Sequence, residues 1–231
     1  MAQVLREEKS NLEYIKEDNG SKNLIVLLHG YGASMQDLHG LSGVINPAKG
    51  CDWIFPNGHL EINMGFGMLG RGWFPVDMAQ LEQAMQQGQH RDFSSTQTNE
   101  FIAAVEKTNI FLNEVIKEYD KVIIGGFSQG SMLTSFLSLA NSEKIDGFIC
   151  YSGTLVGKEQ MIKLLETAKK FPFLQSHGKS DPVLGFQLAK NQYDLFSYAG
   201  FEGEFIEFNG AHEIPMNVIQ KSIEFVNKVF V

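Results

Sequence analysis

Residues 121–130 read Lys-Val-Ile-Ile-Gly-Gly-Phe-Ser-Gln-Gly, and an apolar stretch with helical spacing (Met132, Leu133, Phe136, Leu137, Leu139) follows at once. The first half is a short aliphatic run suited to a strand buried on both faces. The second half, Gly126-Phe127-Ser128-Gln129-Gly130, is a G-x-S-x-G motif in the strand–turn–helix setting it requires. Such a tight turn leaves no room for side chains at its flanks, hence glycine at 126 and 130. The Ser128 hydroxyl then projects from the carboxyl end of a sheet. A helix N-terminus at that point aims N–H groups and a positive dipole end at developing negative charge. The pentapeptide alone is a moderate signal, because any glycine-rich turn can hold a serine. Its setting makes it specific.

Similar short apolar runs recur at 24–28, 52–55, 148–151, 173–175 and 204–208. Helical patterns lie between them. In 98–119, Phe101, Ile102, Val105, Phe111, Leu112, Val115 and Ile116 form one stripe, after capping residues Ser94, Ser95 and Thr96. Others occupy 158–169, 184–199 before Gly200, and 215–231. Strands alternating with helices predict βαβ units and a mostly parallel sheet covered on both faces, an α/β architecture. No linker or repeat divides residues 1–231, so a single domain is expected. Residues 58–90 depart from this rhythm: they carry no clear strand period and interleave Gly65, Gly67, Gly70 and Gly72 with Met64, Phe66 and Met68. A long glycine-rich excursion reads either as an ordinary insertion over the core or as a mobile apolar flap beside a functional site, with Phe66 and Met68 among its contact residues.

Composition narrows the function classes. Hydrophobic residues make up 43% and charged residues 20%, which excludes a disordered chain. Lys and Arg number 19 against 27 Asp and Glu, a net charge of −8. Nucleic acid is therefore not the expected partner, since phosphate neutralisation needs an electropositive footprint. Cys51 and Cys150 show no metal-ligand spacing, and a secreted disulfide framework needs more pairs. No stretch of about 20 apolar residues spans a bilayer, and the charged N-terminus lacks signal-peptide character. A cytoplasmic protein without metal or cofactor is expected, its oligomeric state open.

A serine hydroxyl is a weak nucleophile and needs a base that is itself oriented by an acid. In this architecture the chain order is serine, acid, histidine. Only His177 and His212 follow Ser128. His177 as base would need an acid before it, and the loop after Tyr151 holds no Asp. With His212 as base, Asp181 stands in an intervening loop at the ligand-binding edge of the sheet. Asp181 is thus predicted to orient His212, which takes the Ser128 proton. His177 reads as a structural loop residue, and Glu213 as a loop or helix-start charge. Acyl transfer also needs two N–H donors for an oxyanion. They are predicted at Gln129, after the nucleophile, and at Tyr31 in the His29-Gly30-Tyr31-Gly32 loop. His29, which precedes the serine, reads as a structural hydrogen-bonding residue.

These motifs, Gly126–Gly130, His-Gly-Lys-Ser-Asp-Pro-Val at 177–183 and Gly-Ala-His-Glu-Ile at 210–214, resemble the phospholipase/carboxylesterase family of α/β-hydrolases. The likeness runs from about residue 24 to the C-terminus. It implies the α/β-hydrolase fold, the triad Ser128, Asp181 and His212, and an oxyanion hole from the Tyr31 and Gln129 amides. It also places Trp73 and Phe74, a pair the family carries in a mobile loop, near the acyl pocket. The implied activity is cofactor-free hydrolysis of short- to medium-chain carboxylic esters. Lysophospholipase or acyl-protein thioesterase action at a membrane surface is an alternative, with small-molecule esters or thioesters as substrates and transient lipid contact through the flap. A hydrolase-fold protein that only binds a lipid or partner is a further alternative of another class.

Overall fold

Two-residue alternation divides each central strand between two cores, one on either side of the sheet. In a computed structural model describing residues 2–231, Leu24, Val26, Leu28, Val122, Ile124, Phe148 and Cys150 face one core. Their neighbours Ile25, Leu27, Ile123, Ile149 and Tyr151 face the other. Strands buried on both faces must be apolar throughout, which is why these runs show no polar alternation.

The N-terminal half comprises β1 (Ala2–Arg6), β2 (Glu13–Glu17), β3 (Asn23–Leu28), β4 (Asp52–Pro56), β5 (Leu60–Gly65), β6 (Met68–Gly72), α1 (Met78–Gln86) and α2 (Asn99–Val115). Then follow β7 (Lys121–Phe127), α3 (Gln129–Ala140), β8 (Gly147–Tyr151), α4 (Lys158–Thr167), β9 (Phe173–Gly178), α5 (Phe186–Tyr198), β10 (Gly203–Phe208) and α6 (Met216–Val229). The main sheet runs β1-β2-β4-β3-β7-β8-β9-β10. From β4 to β10 the pairs are parallel, and β1 and β2 add an antiparallel edge. Phe101, Phe111 and Leu112 of α2, Met161 and Leu165 of α4 and Phe196 of α5 pack on the first core. Val218, Phe225, Val226 and Val229 of α6 cover the second, with Met35, Leu38 and Ile45 from the chain after β3. Helix α3 is buried nearly all round. Its polar side chains Thr134, Ser135 and Ser138 return hydrogen bonds to carbonyls four residues back, while the buried Ser131 hydroxyl has no partner among the described residues.

Register then brings distant loops together. Leu28 lies opposite Gly126, so the loop after β3 emerges beside the turn after β7. Phe208 lies opposite Gly178, and the following loops stay joined through Lys179 N–H to the Phe208 carbonyl and Ser180 N–H to the Gly210 carbonyl.

Residues 58–90 are more regular than their sequence pattern implies. They form the two-stranded antiparallel hairpin β5–β6 and then α1, capped by the Asp77 carboxylate on the Gln80 N–H. A register shift at Asn63/Gly65 and left-handed backbone at Gly65, Phe66 and Gly67 break the two-residue period. The hairpin is tied to the loop after β3: Gly32 N–H donates to the Arg71 carbonyl (2.8 Å) and Arg71 N–H to the Ala33 carbonyl (2.7 Å).

Candidate active site

The turn after β7 is confined on every side. A Cβ at Gly126 would overlap the backbone of Gly130, and one at Gly130 would overlap the Leu28 carbonyl. Ser128 itself has φ 54° and ψ −117°, a region that non-glycine residues avoid. Its N–H donates to the Tyr151 carbonyl at 2.9 Å, which fixes the strained residue to β8.

Asp181, in the loop after β9, is buried. Its Oδ1 accepts the Val183 and Leu184 N–H groups at 2.8 and 2.9 Å. Its Oδ2 meets His212 Nδ1 at 2.7 Å. A carboxylate only accepts, so Nδ1 of His212 carries the hydrogen and Nε2 of the neutral ring is left as an acceptor. Burial disfavours the Asp181 charge, but hydrogen bonds from His177 and His212 and the backbone outweigh it and hold the carboxyl well below the usual range. The His212 ring lies 4.7 Å from that of Phe127. Ser128 and His212 line one cleft, although no hydrogen bond joins them among the described residues. In unliganded sites such contacts are often open and close on substrate.

The opposite wall is the loop after β3. His29 is buried, and both its ring nitrogens are used: Nε2 accepts the Gly58 N–H (2.9 Å), so Nδ1 donates to the Gly30 carbonyl (2.7 Å). Burial pushes its pKa down to about 4, with a smaller contribution from Arg71, against the opposing Gly30 hydrogen bond. This is a structural histidine, as its place before the serine predicts. Tyr31 and Gln129 both line the cleft. The Gln129 carboxamide accepts the Trp73 N–H (2.9 Å) and donates to the Phe74 carbonyl (2.7 Å). The Trp73 indole donates to the His29 carbonyl.

The cleft has a volume of about 320 Å³, and Phe74, Val76, Leu81, Phe93, Met132 and Leu184 form its apolar lining. The sequence-predicted contact residues divide. Phe74 lines it, whereas Trp73 is fully buried behind it as a clamp between loops. Phe66 and Met68 do not line it: the hairpin carries them to its exposed tip. Glu213 bonds the Ala211 N–H within its own loop.

A model of the phospholipase/carboxylesterase family matches residues 10–230. The chain belongs to this family. It is 26% identical over 227 residues to acyl-protein thioesterase 1 of Debaryomyces hansenii, covering 90% of this chain and 92% of that protein. Among solved structures, esterase PE8 superposes with a TM-score of 0.77 at 23% identity, over 99% of this chain and 98% of the other. A carboxylesterase from Mesorhizobium loti gives 0.73 at 18% identity over 97% and 98%. Both share the fold. The family member described here is accordingly a hydrolase of the carboxylesterase and acyl-protein thioesterase type, with the α/β-hydrolase fold. Among the described residues, no helix is long and apolar enough to cross a membrane.

Three contacts escape sequence reasoning. His177, read as a loop residue, ends β9 fully buried, with Nε2 3.2 Å from Asp181 Oδ2. His90, at the end of the irregular segment, bonds the Asp181 carbonyl at 2.9 Å. The Gln129 carboxamide clamps the Trp73-Phe74 backbone. The spacing of four between His177 and Asp181 was the one available signal for the first. Nothing local announces the other two.

Proposed function

We propose that this hydrolase is a serine esterase that acts through an acyl-enzyme on short- to medium-chain carboxylic esters. The Ser128 Oγ attacks the carbonyl carbon while its proton passes to His212 Nε2. The tetrahedral oxyanion accepts the Tyr31 and Gln129 N–H groups. Collapse breaks the bond to the leaving alcohol or thiol, which takes the proton from His212. Water then attacks the acyl carbon, His212 takes its proton, and return of that proton to Ser128 Oγ frees the acid. Asp181 keeps the imidazole in the required tautomer throughout. The observation that carries this reading is the 2.7 Å bond from His212 Nδ1 to Asp181 at the rim of a cleft that Ser128 also lines.

The cleft volume, near 320 Å³, lies at the small end of ligand sites and favours short to medium acyl groups. Rates over p-nitrophenyl esters of increasing chain length, beside one lysophospholipid and one acyl thioester, test that preference. Ser128→Ala should lower kcat/KM by about 10⁴-fold or more. Turnover at the parental rate would refute the assignment. The family match over 10–230 supports one catalytic domain, and the free cysteines Cys51 and Cys150 suit a cytoplasmic setting.

A second reading concerns where the substrate is met. Phe66 is fully exposed at the hairpin tip, with Met64, Met68 and Leu69 around it. Adaptable apolar side chains grouped in solvent suit reversible contact with a lipid surface. Sedimentation with vesicles should fall for Phe66→Ser and Met68→Ser; unchanged sedimentation removes lipid docking by the tip.

A further inference from the structure

Two imidazoles converge on one oxygen of Asp181. His212 Nδ1 lies 2.7 Å from Oδ2, and His177 Nε2 lies 3.2 Å from the same atom. The other oxygen already accepts the Val183 and Leu184 N–H groups. Three hydrogen bonds and the His177 contact thus surround the carboxylate, and its rotation would break bonds at both oxygens. His177 Nε2 also meets the Leu184 carbonyl at 2.8 Å. Both of its neighbours only accept, so Nε2 carries the hydrogen; it donates to the Leu184 carbonyl and stands 3.2 Å from Oδ2. Among the described residues, the buried His177 Nδ1 has no hydrogen-bond partner.

We propose that His177 is a positioning residue, whose Nε2–H holds the Asp181 carboxylate in place and shares its Oδ2 with His212. The proposal rests on the triad reading above and deepens it. A second donor on Oδ2 draws electron density from the oxygen that His212 uses. It weakens the pull on the His212 proton and keeps that ring less basic than one held by an undivided carboxylate. The ionisable groups nearby include His90, whose ring bonds the Asp181 carbonyl, Glu213, tied to the Ala211 N–H, Asp37, which lines the cleft, and Glu207, opposite His177 on β10, which pairs with Lys179 at 3.1 Å. None of the contacts just named reaches Oδ2.

The test separates this role from the esterase reading by observing His212 directly. In Ser128→Ala protein, NMR titration of the His212 ring gives its midpoint without any turnover. Adding His177→Phe should raise that midpoint by about half a unit to one unit. His177→Gln, which restores an N–H donor, should keep it near the parental value. In esterase assays of the variants without Ser128→Ala, the rising limb of kcat/KM against pH should follow the same order. A folded His177→Phe protein with the parental midpoint overturns the proposal, even if its activity falls. Should His177→Phe not fold, the unsubstituted ring supplies the readout: its Nε2 proton resonance should shift as His212 titrates in Ser128→Ala protein. A His177 resonance indifferent to that titration also overturns it. Loss of esterase activity in the parent protein would instead sink the triad reading and leave the His212 titration to be judged separately.

Discussion

The turn at 126–130 and the hairpin tip at 64–68 both depend on glycine and both hold a non-glycine residue at positive φ, yet they are opposite kinds of structure. Around Ser128 the glycines are compulsory because neighbouring backbone fills the space where a Cβ would go. Around Phe66, added Cβ atoms at Gly65 and Gly67 would meet nothing, and the need comes from backbone angle alone. Strain at Ser128 is enforced by strands on two sides; strain at Phe66 is enforced by two hairpin strands and solvent. The candidate chemistry therefore sits where the fold leaves no freedom, and the proposed lipid contact sits where it leaves much.

The sharpest way to break this contrast is a pair of matched substitutions. Gly130→Ala forces a methyl into the Leu28 and His29 carbonyls, which are backbone and cannot move aside. It should destabilise the protein by about 3 kcal/mol or more and abolish hydrolysis. Gly65→Ala meets open space but keeps φ 84°, so its effect should be near 1 kcal/mol with hydrolysis of soluble esters intact. Urea unfolding midpoints read both. Equal losses would mean that the hairpin tip is as tightly determined as the nucleophile turn.

His29 sharpens the same contrast through pH. Its folded pKa is pushed down to about 4, below the reference value of about 6.5. Between those values the unfolded chain binds the proton and the folded one does not, so stability rises with pH. The contribution is fully present above about pH 6.5 and is lost as pH falls towards 4. A gap of about 2.5 units corresponds to roughly 3 kcal/mol at most. Unfolding free energies measured across pH 4–7 should therefore be flatter for His29→Gln than for the parent. Equal slopes would show that His29 accepts a proton in the folded loop.

Much of this rigid half was legible in the sequence, and the reason is physical. A strand buried on both faces must be a short apolar run, so 24–28, 121–125 and 148–151 announce themselves. The candidate serine, acid and histidine follow from chain order because sheet topology fixes which loops share an edge. What escaped is determined by long-range contact. The first two strands give no apolar run to read, because β1 is a solvent-exposed edge and β2 buries only Ile15. The hairpin at 60–72 is obscured by its register shift and by Gly70, which serves close packing on Gly32, alongside the turn glycines Gly65 and Gly67. Sequence order, which allows only one base, reads the second imidazole on Asp181 as structural. It says nothing about how many donors an acid holds.

The smallest expected effect lies at Phe66. A bulky aromatic at φ 51° is a backbone outlier, and its ring gains nothing from burial because it is fully exposed. Left-handed backbone disfavours non-glycine residues by about 1–2 kcal/mol, and asparagine tolerates it better than phenylalanine does. Phe66→Asn should therefore stabilise the isolated protein by about 0.5 kcal/mol while leaving soluble ester hydrolysis unchanged. Thermal or urea unfolding with the parent run in parallel resolves that difference. A phenylalanine that lowers stability and has no packing partner fits the lipid contact proposed for this tip. If Phe66→Asn destabilises the protein, the ring has an intramolecular role, and that argument loses its footing.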